Sequence, residues 1–140
     1  MNLLQPKKLK YKKYHKKLSS FTIKNYSKKE LDFGTFGLKV MEHSRISARQ
    51  IEAMRKIIRR ITKRAGILWI KAFPHLPVTS KPSEIRMGKG KGTVAYWAAF
   101  VKKYSILIEL SGISTQIAYK ALQNAAVKLP FKTQVIKQKR

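Results

Sequence analysis

Arg86-Met87-Gly88-Lys89-Gly90-Lys91-Gly92 is the segment whose residue types could bind a ligand most directly. Glycine has no side chain, so backbone N–H groups in such a run can come close to phosphate oxygens as a nest. Lys89 and Lys91 add point charges and Arg86 a planar fork. The spacing matches neither common nucleotide-binding pattern. A Walker loop needs G-x-x-x-x-G-K-[ST] and a dinucleotide fingerprint needs G-x-G-x-x-G, each between a strand and a helix. Here Thr93 stands where the second pattern wants glycine, and strand-forming sequence follows. Such a loop suits packed RNA, read by shape, phosphate and 2′-hydroxyl contacts, better than duplex DNA entered by a recognition helix. The plainer alternative is a basic hairpin with no ligand.

Catalysis needs convergent titratable groups, and the sequence offers few. The carboxylates Glu30, Asp32, Glu42, Glu52, Glu84 and Glu109 show no spacing expected of an acid/base pair. His15, His43 and His75 occur one per segment, without H-x-x-x-H or H-E-x-x-H spacing, so no metal site is expected. The absence of cysteine removes disulfides, thiolate metal sites and thiol nucleophiles together. The expectation is a protein with no catalytic residues, no metal and no cofactor.

Charge is the dominant feature. With 32 Lys+Arg against 6 Asp+Glu, the 140-residue chain carries a net charge of +26. Repulsion on that scale strains a compact state and calls for a polyanionic partner. Ten lysines and no acid occur within residues 1–29, with Tyr11, Tyr14, Phe21 and Tyr26 spaced among them. A mitochondrial transit peptide would be Arg-rich, whereas the first arginine is Arg45, so the segment reads as a mature binding tail. The longest apolar run, Val94 to Val101, is far shorter than the roughly 20 residues of a membrane span, and no membrane partner is expected.

The elements that must position these groups are legible from periodicity. Phe36, Leu38 and Val40 alternate as a half-buried strand. Ser47 and Gln50 form a capping box for a helix over 48–65, with Gly66 placed for a left-handed C-terminal cap. On that helix Ile51, Met54, Ile57, Ile58, Ile61 and Ala65 share an arc of about 120°. Arg49, Arg55, Lys56, Arg59, Arg60, Lys63 and Arg64 fill the other half, interrupted only by Glu52, which reads as a face for a polyanion rather than an ordinary solvated face. Residues 67–73 predict a largely buried strand. Pro74, Pro77 and Pro82 predict a stretch without regular structure, and residues 88–92 the tip of a hairpin leading to a strand over 93–101 with Trp97 and Phe100 as core anchors. A strand over 105–110 follows, then a helix capped by Ser114 with the stripe Ala118, Ala121, Leu122, Ala125 and Leu129 and stopped by Pro130. Phe131, Thr133 and Val135 suggest a last strand. The plan is a single α+β domain, two helices packed on a mainly antiparallel sheet: a basic extension over 1–32, a body over 33–136 and a basic end over 137–140.

The blocks Leu4-Gln5-Pro6-Lys7, Phe33-Gly34-Thr35-Phe36-Gly37-Leu38-Lys39, Arg45 to Ala53, Lys81-Pro82 with Arg86 to Gly92, and Ala125 to Pro130 resemble, in order, the large-subunit ribosomal protein L-sixteen family, called L-ten-e in archaea and the eukaryotic cytosol. The resemblance implies an α/β-hammerhead-like body bound to large-subunit rRNA beside the tRNA path, joining late in subunit assembly and catalysing nothing. It implies that Arg86, Met87, Gly88, Lys89, Gly90, Lys91 and Gly92 form a tRNA-proximal loop near the peptidyl-transferase region. It implies rRNA contacts by Lys7, Lys8, Lys10, Lys12, Lys13, Arg45, Arg49, Arg55, Arg59 and Arg60.

The implied partners are large-subunit rRNA, tRNA and neighbouring large-subunit ribosomal proteins, with no homo-oligomer. Two departures stand out: residues 16–32 lack the family's Gly- and Arg-rich character, and lysine replaces arginine through much of the tail, exchanging bidentate contacts for point charges. The start of the sequence aligns with the family's own, and the Lys/Ile/Tyr bias suggests an A+T-rich genome. The resulting expectation is a ribosome of an organelle, foremost a mitochondrion, with a bacterium or plastid as alternatives. Rival readings are a nucleoid-type DNA-compacting protein and a cationic membrane-surface protein.

Overall fold

The computed structural model describes residues 4–15 and 30–138. Phe21 and Tyr26 of the tail, and Lys139 and Arg140 of the basic end, lie outside the described residues. Nine elements follow in order: β1 (Phe36–Val40), β2 (Ser44–Ser47), α1 (Ala48–Ile61), β3 (Ile67–Ile70), β4 (Leu76–Ser80), β5 (Thr93–Val101), β6 (Ile106–Ser111), α2 (Thr115–Ala126) and β7 (Thr133–Lys137). Every pairing is antiparallel, so the α+β class holds, but the strands form two sheets rather than one. One runs β3-β6-β1-β7 and the other β2-β5-β4. Hydrophobic alternation marks a strand without naming its partner, which is why periodicity does not reveal the split.

The helices join the sheets. α1 packs beside β2 and β5, α2 beside β1 and β7, and the two pack on each other. Ile51, Met54 and Ile58 of α1 face Ala118, Ala121, Leu122 and Ala125 of α2 within one core that also takes in Leu38, Val40, Ile46, Leu107, Ile108 and Leu110.

Helix α1 starts as its capping box predicts. Ser47 Oγ accepts from the Gln50 N–H, and Gln50 Oε1 accepts from the Ser47 N–H at 2.8 Å. It ends earlier than expected, at Ile61 rather than residue 65. Lys63 takes φ +49°, with Lys63 N–H donating to Arg60 C=O and Arg64 N–H to Arg59 C=O, the paired bonds of a Schellman close. Gly66 is needed for another reason: at φ +68°, a Cβ there would lie 2.4 Å from the Ser111 carbonyl oxygen, where β3 sets off along β6.

Three other expectations are corrected. The strand over 67–73 stops at Ile70, paired with Ile108, and one further bond from the Lys71 N–H to the Leu107 carbonyl ends the backbone pairing with β6; it is a partly exposed edge, with Ile67 and Phe73 exposed. The proline-rich stretch contains β4: Pro77 sits opposite Trp97 on an edge strand, where its missing N–H is tolerated. Trp97 and Phe100 are only half-buried, while Ala98, Ala99 and Val101 supply β5's buried surface. In addition, Leu129 and Pro130 lie beyond α2, which closes at Val127.

A buried carboxylate fixes the entry to the body. Glu109 on β6 is fully buried, and its oxygens accept from the N–H groups of Phe33 (2.7 Å), Gly34 (2.8 Å) and Asp32 (3.3 Å) and from Lys71 Nζ (3.1 Å). Lys71 also donates to Asp32. Burial pushes the Glu109 carboxyl up, but the Phe33 and Gly34 N–H bonds, Lys71 and the Asp32 N–H outweigh it and hold the group below the usual carboxylate range. Burial likewise opposes the Lys71 charge, and its bonds to Asp32 and Glu109 reverse that and raise it. Asp32 and Glu109 thus do converge, which their spacing in sequence does not show. Glu109 is an ionised structural anchor at neutral pH, unsuited to donating a proton.

Candidate nucleic-acid interface

The structure brings the tail and the glycine loop together. Leu4 packs against the core, while Lys7, Lys8, Lys10, Lys12 and Lys13 are exposed. At the other end of the described tail, Lys13 Nζ donates to the Lys91 carbonyl at 2.8 Å and Lys91 Nζ donates to the Tyr14 carbonyl. Segments 77 and 78 residues apart therefore lie side by side, each lysine satisfied by the other segment's backbone. These bonds are exposed and individually contribute at most about 1 kcal/mol.

The loop is the connection between β4 and β5, so a hairpin is present as expected, but its connection spans residues 81–92 and residues 88–92 form the half that returns to β5 rather than the tip alone. Residues 81–91 are exposed throughout, and Lys81 Nζ donates to the Gly88 carbonyl at 2.5 Å. Gly88 (φ +106°), Lys89 (φ +51°) and Gly90 (φ +79°) form a run of left-handed backbone. A Cβ on Gly88 or Gly90 would meet nothing within 4 Å, whereas one on Gly92 would lie 2.4 Å from the Ser80 carbonyl oxygen. Gly92 thus closes the hairpin, and Gly88 and Gly90 leave the tip bare. Among the described residues the N–H groups of 88–91 have no hydrogen-bond acceptor, so they can meet phosphate oxygens from outside. Arg86 is exposed beside them and Met87 stands fully out.

The cationic face of α1 divides into two sets. Arg55 donates twice to Glu52, at 2.6 and 2.8 Å, and Arg59 reaches the carbonyls of Arg64 and Gly66, at 3.3 Å each. The Arg55 bond holds the Glu52 carboxyl below its ordinary range, with burial opposing, and raises Arg55 in turn. These two residues, expected to meet RNA, spend donors inside the protein. Arg45, Arg49, Lys56 and Arg60 are exposed, and none of them forms an ion pair among the described residues.

Between α1, β2 and β5 runs a groove of about 1630 Å³ whose rim carries Arg45, Arg49 and Lys56 and whose wall includes Tyr96 and Trp97. Leu4 and Gln5 lie along it, so the tail passes from groove to loop. Sequence reasoning does not place Tyr96 and Trp97 at the interface. A clue is available: nine residues of β5 overrun the four of β2, leaving the loop-proximal half of the strand only partly covered. His43 and His75 serve local contacts, His43 Nδ1 accepting from the Lys103 N–H and His75 lying 3.2 Å from the Phe73 carbonyl. Among the described residues no His, Asp and Glu cluster could hold a metal, and no helix is long and apolar enough to cross a membrane.

The arrangement is two-part: a bare-backbone tip with lysines, and a cation-rimmed groove with aromatic walls. Comparison with known proteins meets it from the side of sequence. Large ribosomal subunit protein uL16 of Sphingopyxis alaskensis is 53% identical over 134 residues, spanning 96% of this chain and 92% of that protein. The proteins of the same description from Bartonella bacilliformis and Cereibacter sphaeroides are 52% and 51% identical, over 96% of each chain. The family profile described as ribosomal protein L16p/L10e matches residues 6–136, from the tail through the loop to β7, and the chain belongs to that family.

Proposed function

We propose that this protein is a non-catalytic component of the large ribosomal subunit that binds large-subunit rRNA through its tail, the exposed cations of α1 and the groove, and presents residues 86–92 toward tRNA near the peptidyl-transferase region. The observation that carries the reading is the junction of tail and glycine loop at Lys13 and Lys91, which gathers both predicted binding segments into one cationic surface. The relatives' names supply the large subunit, and rRNA and neighbouring ribosomal proteins are the partners that follow. The relatives named above are bacterial, so the ribosome proposed is of the bacterial type; the mitochondrial setting expected from the Lys/Ile/Tyr bias draws no support from them.

Two measurements test this. The full chain should travel with large subunits through a high-salt gradient. Isolated rRNA binding should weaken by about 10³- to 10⁵-fold between 50 and 200 mM salt, as expected for six to ten neutralised phosphates. A flat salt response, or preference for random duplex DNA over rRNA, refutes the reading. Replacing Lys89 and Lys91 with Ala should impair tRNA-dependent steps more than incorporation into subunits; normal translation with defective incorporation would reassign the loop to rRNA.

A further inference from the structure

At the far end of β5, on the order of 30 Å along the strand from the glycine loop, the chain turns into β6 through Lys102-Lys103-Tyr104-Ser105. The turn is held firmly. Ser105 donates from both its N–H and its hydroxyl to the Lys102 carbonyl, Tyr104 N–H donates to Val40 C=O at 2.7 Å, and Val40 N–H donates to Ser105 C=O at 2.9 Å. Tyr104 is thereby fixed at φ +66°, a left-handed position that favours glycine. Burial repays that strain only in part, since the ring lies outside the core and 36% of the residue stays exposed on the turn. An aromatic side chain at a strained position, outside the core, points to a purpose beyond folding.

The surroundings say what purpose. Lys103 Nζ and Lys39 Nζ lie 4.9 and 5.2 Å from the ring centroid. Neither forms an ion pair with a carboxylate among the described residues. Two ammonium groups share one ring, and an anion bound there would offset their mutual repulsion. A partly exposed ring with two ammonium groups over it, neither paired with a carboxylate among the described residues, holds the two elements that grip single-stranded nucleic acid, an aromatic for a base and cations that can turn from the ring to its phosphates.

We propose that Tyr104 is a stacking platform for an unpaired rRNA base whose flanking phosphates sit on Lys39 and Lys103. This gives the protein a second RNA contact at the end of the body away from the glycine loop, and it rests on RNA being the partner, as proposed above. The test uses the full chain, transcribed large-subunit rRNA, and the variants Tyr104→Gly, Tyr104→Phe and Lys39→Ala with Lys103→Ala. Tyr104→Gly should melt at the same or a higher temperature than the parent, yet bind rRNA about 5- to 100-fold more weakly with its salt slope unchanged. Tyr104→Phe should bind within about twofold of the parent, and the double lysine variant should lower the salt slope by about 1.5. Parental affinity in Tyr104→Gly, a lowered melting temperature in that variant, or tighter binding of the parent to anionic vesicles than to rRNA overturns the platform. A parent that fails to bind rRNA sinks the general reading as well, which separates the two failures.

Discussion

Glu109→Ala isolates the internal electrostatics of the body from its external charge. The substitution removes the acceptor for the N–H groups of Asp32, Phe33 and Gly34 and one of two anionic partners of Lys71. A buried donor left unsatisfied costs about 1–3 kcal/mol, and breaking a buried ion pair by removing one partner costs about 3–5 kcal/mol. Chain entry can relax and admit water, so the lower end of the combined range applies and about 4 kcal/mol is expected. Small domains unfold at about 5–15 kcal/mol, so the variant should be marginal. Glu109→Gln keeps the shape and an acceptor and should cost about 2 kcal/mol.

Urea unfolding followed by fluorescence in a Trp97→Phe background reads this through Trp69, which stacks on Phe33 at 5.9 Å, beside the bonded N–H groups. The pH dependence has a definite sign. Glu109 is held below its ordinary value of 4.5 in the folded protein, so its stabilisation is complete above that value and is lost as pH falls through the depressed folded value. The gap between parent and Glu109→Gln should be constant near neutrality and close on acidification below about 4.5. A loss under about 1 kcal/mol for Glu109→Ala, or a gap that persists undiminished in acid, would refute the assignment of Glu109 as an ionised anchor.

Ser47→Ala should destabilise by about 1 kcal/mol in the same assay through loss of the capping box, whereas Ser114→Ala should be nearly neutral because the Ser114 side chain makes no capping bond. Gly92→Ala should lower the melting temperature, since its Cβ would lie 2.4 Å from the Ser80 carbonyl oxygen; Gly88→Ala meets no atom and should cost only the backbone strain of about 1 kcal/mol. In rRNA binding, Lys56→Ala and Arg60→Ala should each reduce the salt slope by about 1, while Arg55→Ala should reduce it less because its fork is engaged by Glu52.

Features that depend on near neighbours in sequence are the ones legible in it. The capping box, the Ile51, Met54 and Ile58 part of the α1 stripe, the alanine face of α2 and the hairpin leading into β5 are each set by residues a few positions apart, and the structure reproduces them, whereas Ala65 falls beyond the helix and is exposed. The end of α1 differs because a left-handed close is expected of glycine, whereas Lys63 adopts it once the paired Schellman bonds form. Pro77 hides β4 because a proline is forbidden in a central strand and acceptable on an edge, and which strand lies on an edge is a property of the whole sheet. The Glu109–Lys71–Asp32 cluster is invisible in sequence for the same reason: its members are 38, 39 and 77 residues apart.

The same distinction explains how so lopsided a chain can fold. The three ion pairs among the described residues involve only Glu52, Asp32 and Glu109, and they serve α1's first turns and the entry to the body. Three of the six acidic residues are thus placed where a buried or helical charge needs a partner, while Glu30, Glu42 and Glu84 are exposed. Arg45, Arg49, Lys56, Arg60 and the tail lysines are left exposed with no carboxylate, at the groove, along α1 and beside the loop. Internal compensation stabilises the fold locally, and much of the uncompensated remainder gathers along the groove, the tail and the loop, with Lys39 and Lys103 at the opposite end of β5. Such a remainder is a standing destabilisation of the isolated protein that a polyanion converts into affinity, because the repulsion relieved on binding adds to the attraction of each phosphate that is engaged.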